Sequence, residues 1–189
     1  MNSSRKVLVA DLLDGCRRGD PKTQELLYKV LASKMLGVCA RYARNSYEAE
    51  EMLQLGFIKV FRKINDFREE GSFEGWIRRV MVNTAIEVYR KEQKSLNVVD
   101  LSDLHDAPQQ MFDMDGLEVR DLLAMVQELS TGYRIVFNLY AIEGYSHKEI
   151  AQQLGITEGA SKSQLSRARV VLKEKLARME GKNYESNVR

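Results

Sequence analysis

Two sets of polar side chains in this sequence recur at helical intervals and share the chemistry of polyanion contact. Arg79, Asn83, Glu87 and Arg90 fall on one side of a segment running through Trp76 to about Arg90. Further on, Lys162, Ser163, Ser166 and Arg167 lie opposite the apolar spacing of Leu165, Ala168 and Leu172, and Arg169 follows closely. Arginine and lysine suit phosphates and guanine edges, asparagine suits adenine, and serine suits phosphate or either base. Such faces can read duplex DNA or track a phosphate backbone. The blander alternative for any single charge cluster is a solvated helix surface.

A third feature lies immediately before the first set. Asp66-Phe67-Arg68-Glu69-Glu70-Gly71-Ser72 is a polar loop with one aromatic residue. Phe67 is either core or a platform for an unpaired base. Stacking on an aromatic ring contributes about 1–3 kcal/mol per base, which offsets the few kcal/mol needed to unstack a base from duplex DNA.

A fourth feature is a mixed stripe. From Ala49 to Ile64, Leu53, Phe57, Val60 and Ile64 form a core face at helical spacing. Glu51, Gln54, Leu55, Ile58 and Arg62 share the opposite side, so two large apolar residues stand among polar ones. That stripe is either ordinary surface or a docking site for another protein.

The elements that must position these residues are helical. Ser146 with Glu149 three residues on is a capping box. Ile150, Ala151 and Leu154 give the helix an apolar stripe, Gly155 ends it, Ile156 plugs the turn, and Thr157 caps the next helix. The result is a helix-turn-helix or a plain helical hairpin, supported by helices over Val119–Leu129 and Tyr133–Tyr140. Only two prolines and twelve glycines interrupt 189 residues rich in helix formers, so the expected class is all-α. Between Asn97 and Asp121 seven acidic residues face one base, Arg120, which marks an acidic linker between two small helical domains. The net charge of +2 conceals basic stretches on both sides of it.

Composition argues against several classes. His105 and His147 lie beside no nucleophile or paired carboxylates in the sequence, and no glycine-rich phosphate loop occurs, so neither an enzyme nor a small-molecule substrate is expected. Cys16 and Cys39 form no CxxC pair and are expected to be buried free thiols, with no metal and no cofactor. No apolar run approaches the roughly 20 residues of a membrane helix, and no signal peptide is evident, so the expected location is the cytoplasm.

Four ordered motifs resemble the extracytoplasmic-function (ECF) sigma factors of the sigma-70 family. They are Ala49-Glu50-Glu51-Met52-Leu53-Gln54 with Phe57; Phe67 through Gly71-Ser72-Phe73 to Trp76-Ile77-Arg78-Arg79; Asn83-Thr84-Ala85-Ile86 to Arg90; and Tyr133-Arg134 through Gly144-Tyr145-Ser146, Glu149-Ile150-Ala151 and Leu154-Gly155-Ile156 to Ser166-Arg167-Ala168-Arg169. The likeness runs from about Leu12 to Ala177.

It implies sigma region 2 over residues 1–94, a flexible acidic linker over 95–117, sigma region 4 over 118–180 and a disordered tail over 181–189. It further implies that Glu51, Gln54, Leu55, Ile58 and Arg62 bind core RNA polymerase at the beta-prime clamp helices. Phe67, Arg68, Ser72, Arg79, Asn83 and Arg90 would serve the minus-ten element, with Phe67 and its loop receiving a flipped base. Lys162, Ser163, Ser166, Arg167 and Arg169 would meet the minus-thirty-five element, and region 4 would touch the beta flap. Promoter DNA and an anti-sigma factor, which could hold the protein at the inner membrane, complete the implied partners.

The chain departs from the family pattern at Ala160-Ser161, where Thr-Val is usual, at Leu55, where Glu is usual, and at Glu87, where Asp is usual. At Ser161 a small hydroxyl replaces an apolar plug on the inward side of the recognition helix. The rival reading is a stand-alone helix-turn-helix transcription regulator with an N-terminal interaction domain.

Overall fold

A computed structural model describes the backbone of residues 12–96 and 123–186, with side chains over 12–94 and 123–179. Among these residues every regular element is a helix. They divide into two compact units, one within Met1–Ala43 and Tyr47–Glu92, the other within Arg44–Ser46 and Gln93–Arg189. The expected linker 95–117 lies outside the described residues except for 95 and 96, which end a helix. His105 lies outside them too.

The first unit contains α1 (residues 12–17), α2 (Pro21–Ala40), α3 (Ser46–Lys63), a single 3-10 turn (Ile64–Asp66) and α4 (Phe73–Leu96). Asp20 starts α2 by accepting hydrogen bonds from the backbone N–H groups of Lys22 and Thr23, with Pro21 at the first helical position, where its missing N–H is harmless. The core is built from one stripe per helix: Leu27, Leu31 and Met35 of α2; Leu53, Phe57 and Val60 of α3; Ile77, Met81 and Ala85 of α4. Burying each large side chain contributes about 1.5–3 kcal/mol. Gly56 sets the approach of α3 to α4, since a Cβ there would stand 2.1 Å from the buried Met81 sulfur. Cys16 and Cys39 are buried free thiols, and desolvation pushes them up to about 11 and about 12.

The second unit contains α5 (residues 123–127), α6 (Thr131–Phe137), a π-helical extension (Asn138–Ile142), α7 (His147–Leu154) and α8 (Glu158–Ser186). The capping box is formed as expected, with Ser146 accepting from the Glu149 N–H and Glu149 accepting from the Ser146 N–H at 2.8 Å. Gly155 takes the left-handed conformation at φ 69°, which a side chain would resist. Thr157 caps α8 by accepting from the Ala160 N–H at 3.1 Å. Leu165 and Ala168 of α8, Ile150 and Leu154 of α7, Ile135 and Val136 of α6 and Leu139 of the π-helical extension are all buried, and α8 packs against both α6 and α7.

Two features differ from expectation. Within the segment 181–189, expected to be disordered, α8 continues through Gly181 to Ser186, and residues 187–189 lie outside the described residues. The helix expected over Tyr133–Tyr140 widens into a π turn, in which the Glu143 N–H reaches back to the Asn138 carbonyl at 3.0 Å.

Candidate nucleic-acid interface

The loop of the first unit surrounds a cavity of about 420 Å³, within the roughly 300–1,000 Å³ of small-ligand sites. Arg68, Ser72 and Arg79 line it, together with Phe67 and Trp76. The 3-10 turn before it and the start of α4 after it fix the loop's ends. Ser72 caps α4, accepting from the Gly75 N–H at 3.3 Å, while its carbonyl accepts from the Trp76 N–H at 2.9 Å.

Phe67 resolves in favour of core. It is only 7% exposed, and its ring packs against Phe73 at 5.2 Å and Trp76 at 5.6 Å between centroids. Phe67 borders the cavity only with the small part of its surface that stays exposed. Among the other lining residues, Trp76 is half-buried and Arg68 and Arg79 are exposed.

Asn83 and Arg90 do not line the cavity. They continue the exposed side of α4 beyond Arg79, and the 11 residues from Arg79 to Arg90 span about 16 Å at the helical rise. Glu87 on the same side is paired with Lys59 of α3 at 2.6 Å, so the one acidic group in the row has a partner. Inward, Thr84 is fully buried and donates to the Val80 carbonyl at 2.9 Å.

On α3, Glu51, Gln54, Leu55, Ile58 and Arg62 are all exposed. Leu55 is 38% and Ile58 47% exposed, which places apolar surface in that row rather than in the core.

In the second unit, Lys162, Ser163, Ser166, Arg167 and Arg169 are all exposed on α8. The structure sorts them into two groups. Lys162, Ser166 and Arg169 line a recess of about 320 Å³ with Lys173 and His147. Ser163 and Arg167 lie on the adjoining strip, where Arg167 donates to the Tyr133 hydroxyl at 3.4 Å.

Sequence reasoning missed His147 as part of this surface, because its partners come from other elements. Its ring stacks on Tyr140 with centroids 4.6 Å apart, and the Arg169 guanidinium lies 5.6 Å from the centre of the Tyr140 ring. His147 Nδ1 also pairs with the Ser161 hydroxyl at 2.9 Å. Ser161 is wholly buried, so the pair has the character of a structural bond.

Residues 27–95 match the family description Sigma-70 region 2, and residues 120–172 match Sigma-70, region 4. Among curated proteins, the chain is 28% identical to the ECF RNA polymerase sigma factor SigE of Mycolicibacterium smegmatis, over 82% of this chain and 62% of that one. It is 26% identical to the RNA polymerase sigma-H factor of Pseudomonas aeruginosa, over 87% of this chain and 92% of that one. Among solved structures, the sigma factor RpoE of Bartonella quintana, crystallised with the anti-sigma factor NepR, has a similar fold. The TM-score is 0.53 at 20% identity, covering 81% of this chain and 96% of that chain. The two family matches fall in the two units in the same order and together span more than half of the sequence; the chain belongs to the sigma-70 family, among its ECF sigma factors.

Proposed function

We propose that this chain directs core RNA polymerase to a specific set of promoters by contacting DNA at two places and polymerase at a third. The exposed face of α8 reads the minus-thirty-five duplex, with Lys162, Ser166 and Arg169 in the recess and Ser163 and Arg167 beside it. The loop cavity and the α4 row of Arg79, Asn83 and Arg90 take the melted minus-ten strand. The α3 row of Glu51, Gln54, Leu55, Ile58 and Arg62 docks on the beta-prime clamp helices, and the second unit meets the beta flap.

One observation supports this reading above the others: a cavity of about 420 Å³, roomy enough for an unpaired base, lies at the N-terminal end of a cationic helix face in one unit, while a separate unit presents a helix-turn-helix. A duplex-reading repressor needs only the second. Capture of a base between Trp76 and the guanidinium groups of Arg68 and Arg79 supplies stacking and cation–π attraction. That energy offsets unstacking of the base pair, so strand opening proceeds without nucleotide hydrolysis. By analogy with the Bartonella protein, an anti-sigma factor is the proposed negative regulator.

Reconstituted transcription tests the proposal. Core polymerase, this protein and a genomic template library should yield a defined set of start sites that core alone does not produce. Failure to join core, or start sites identical to those of core alone, would remove the sigma-factor role and leave a stand-alone DNA-binding protein.

A further inference from the structure

Arg17, at the end of α1, is separated by 50 residues from the loop that borders the cavity, yet it grips that loop at two points. Its Nη1 pairs with Glu69 Oε1 at 2.6 Å, and its Nη2 donates to the Phe67 carbonyl at 2.6 Å. These two acceptors flank Arg68. Glu69 itself has φ 61°, the only positive φ at a non-glycine residue among the described residues. A glutamate side chain resists that conformation, so the turn persists only where its surroundings hold it. The planar guanidinium is suited to the task, because its forked donors bind two acceptors in a fixed relative position.

We infer that Arg17 is a positioning residue for the melted strand: it holds the left-handed turn at Glu69 and so keeps Arg68 and the loop edge of the cavity in the form that receives an unpaired base. The inference rests on the proposed minus-ten role of the cavity. Arg17 need not touch the base. It acts through the Phe67 carbonyl and the Glu69 carboxylate, while Phe67's ring stays packed in the aromatic cluster. The side chain is also placed to do this without disturbing polymerase docking, since none of its bonds involves the exposed α3 row.

The test uses holoenzyme assembled from core and the full chain, with a promoter recovered by the reconstituted assay. One DNA probe is fully paired; the other carries a non-complementary, already open minus-ten segment. Wild-type holoenzyme should bind the open probe more tightly than the paired one, and equal binding would defeat the minus-ten reading itself. With Arg17→Ala, if the formed loop falls to about a tenth of the population, affinity for the open probe drops about tenfold.

Association with core should be unchanged. Adding Glu69→Gly in the Arg17→Ala background should restore most of the lost affinity, because glycine adopts positive φ unaided. That rescue separates a held turn from a lost charge. Should Arg17→Ala lower the thermal midpoint of the protein, Arg17→Lys supplies the same readout, since lysine keeps the charge and stem but cannot form the fork. Wild-type affinity in both Arg17 variants, or a loss that Glu69→Gly leaves uncorrected, would overturn the inference while leaving the minus-ten role standing.

Discussion

His147 Nδ1 lies 2.9 Å from the Ser161 hydroxyl, joining the first turn of α7 to the buried side of α8. This bond answers the loss of the apolar plug usual at position 161. A hydroxyl sealed in a core needs a partner, and the histidine supplies one from across the helix-turn-helix. The pair therefore helps set the angle at which α8 leaves the domain.

His147→Ala should destabilise the second unit by about 1–3 kcal/mol, because it strands a fully buried hydroxyl. Ser161→Val alone should be milder, since half-buried His147 can turn its nitrogen to water. In the double variant much of the His147→Ala penalty should disappear, as no orphaned hydroxyl remains. NMR-monitored urea unfolding at α7 and α8 measures the cycle. Additive effects would show that the two side chains are independent.

Lys162→Ala and Arg167→Ala should weaken promoter use and leave association with core intact. The two should differ in kind. A lysine that contacts phosphate contributes about one unit to the slope of log affinity against log salt, so Lys162→Ala should flatten that slope. Arg167, steadied by the Tyr133 hydroxyl, is better placed for base readout, and its loss should relax sequence preference at one position of the minus-thirty-five element. Titrations of holoenzyme on promoter variants at several salt concentrations distinguish the two effects.

Much of this architecture is legible from local rules. The capping box at Ser146 and Glu149, the left-handed Gly155 and the cap at Thr157 each depend on a few adjacent residues, and each forms as its residue types dictate. The exposed rows on α3, α4 and α8 follow from helical periodicity in the same way. What escaped depends on contacts distant in sequence. Arg17 meets the loop 50 residues away, and Tyr140, His147 and Arg169 converge from three separate elements. Phe67 was ambiguous for a related reason: only the placement of Phe73 and Trp76 around it decides between core and platform. The π turn over Asn138–Ile142 has no periodic signature, and it forms in the segment that places Tyr140 against His147.

The capping box also predicts an acid-sensitive start to α7. Glu149 accepts from the Ser146 hydroxyl at 2.7 Å and from the Ser146 backbone N–H, and these bonds hold its carboxyl below the ordinary 4.5. The unfolded chain protonates first, near 4.5. Glu149 thus contributes its stabilisation fully above that pH and loses it as pH falls through the lower native value. Glu149→Gln keeps a capping side chain that does not titrate. The variant should show a flatter decline in stability of α7 below pH 4.5, read at the Ile150 and Leu154 amides during urea unfolding. An unchanged acid limb would mean that the carboxylate does not govern it.

The α3 row gives the sharpest separation of surfaces. Leu55 and Ile58 are exposed, and their neighbours Gln54 and Arg62 are polar, so a new carboxylate at either apolar position meets water in the free protein. Surface changes of this kind usually alter stability by no more than about 0.5 kcal/mol. Against a docked partner the same carboxylate is desolvated, and an uncompensated charge there weakens binding strongly. Ile58→Asp should therefore reduce association with core polymerase at least about tenfold, the equivalent of 1.4 kcal/mol. Thermal stability should remain near wild type. The position of Leu55 sharpens the contrast, because a Glu is usual there in the family and Leu55→Glu should be tolerated better than Ile58→Asp. Normal association of Ile58→Asp with core, measured by fluorescence titration, would take the α3 row out of the polymerase interface and return Leu55 and Ile58 to ordinary surface.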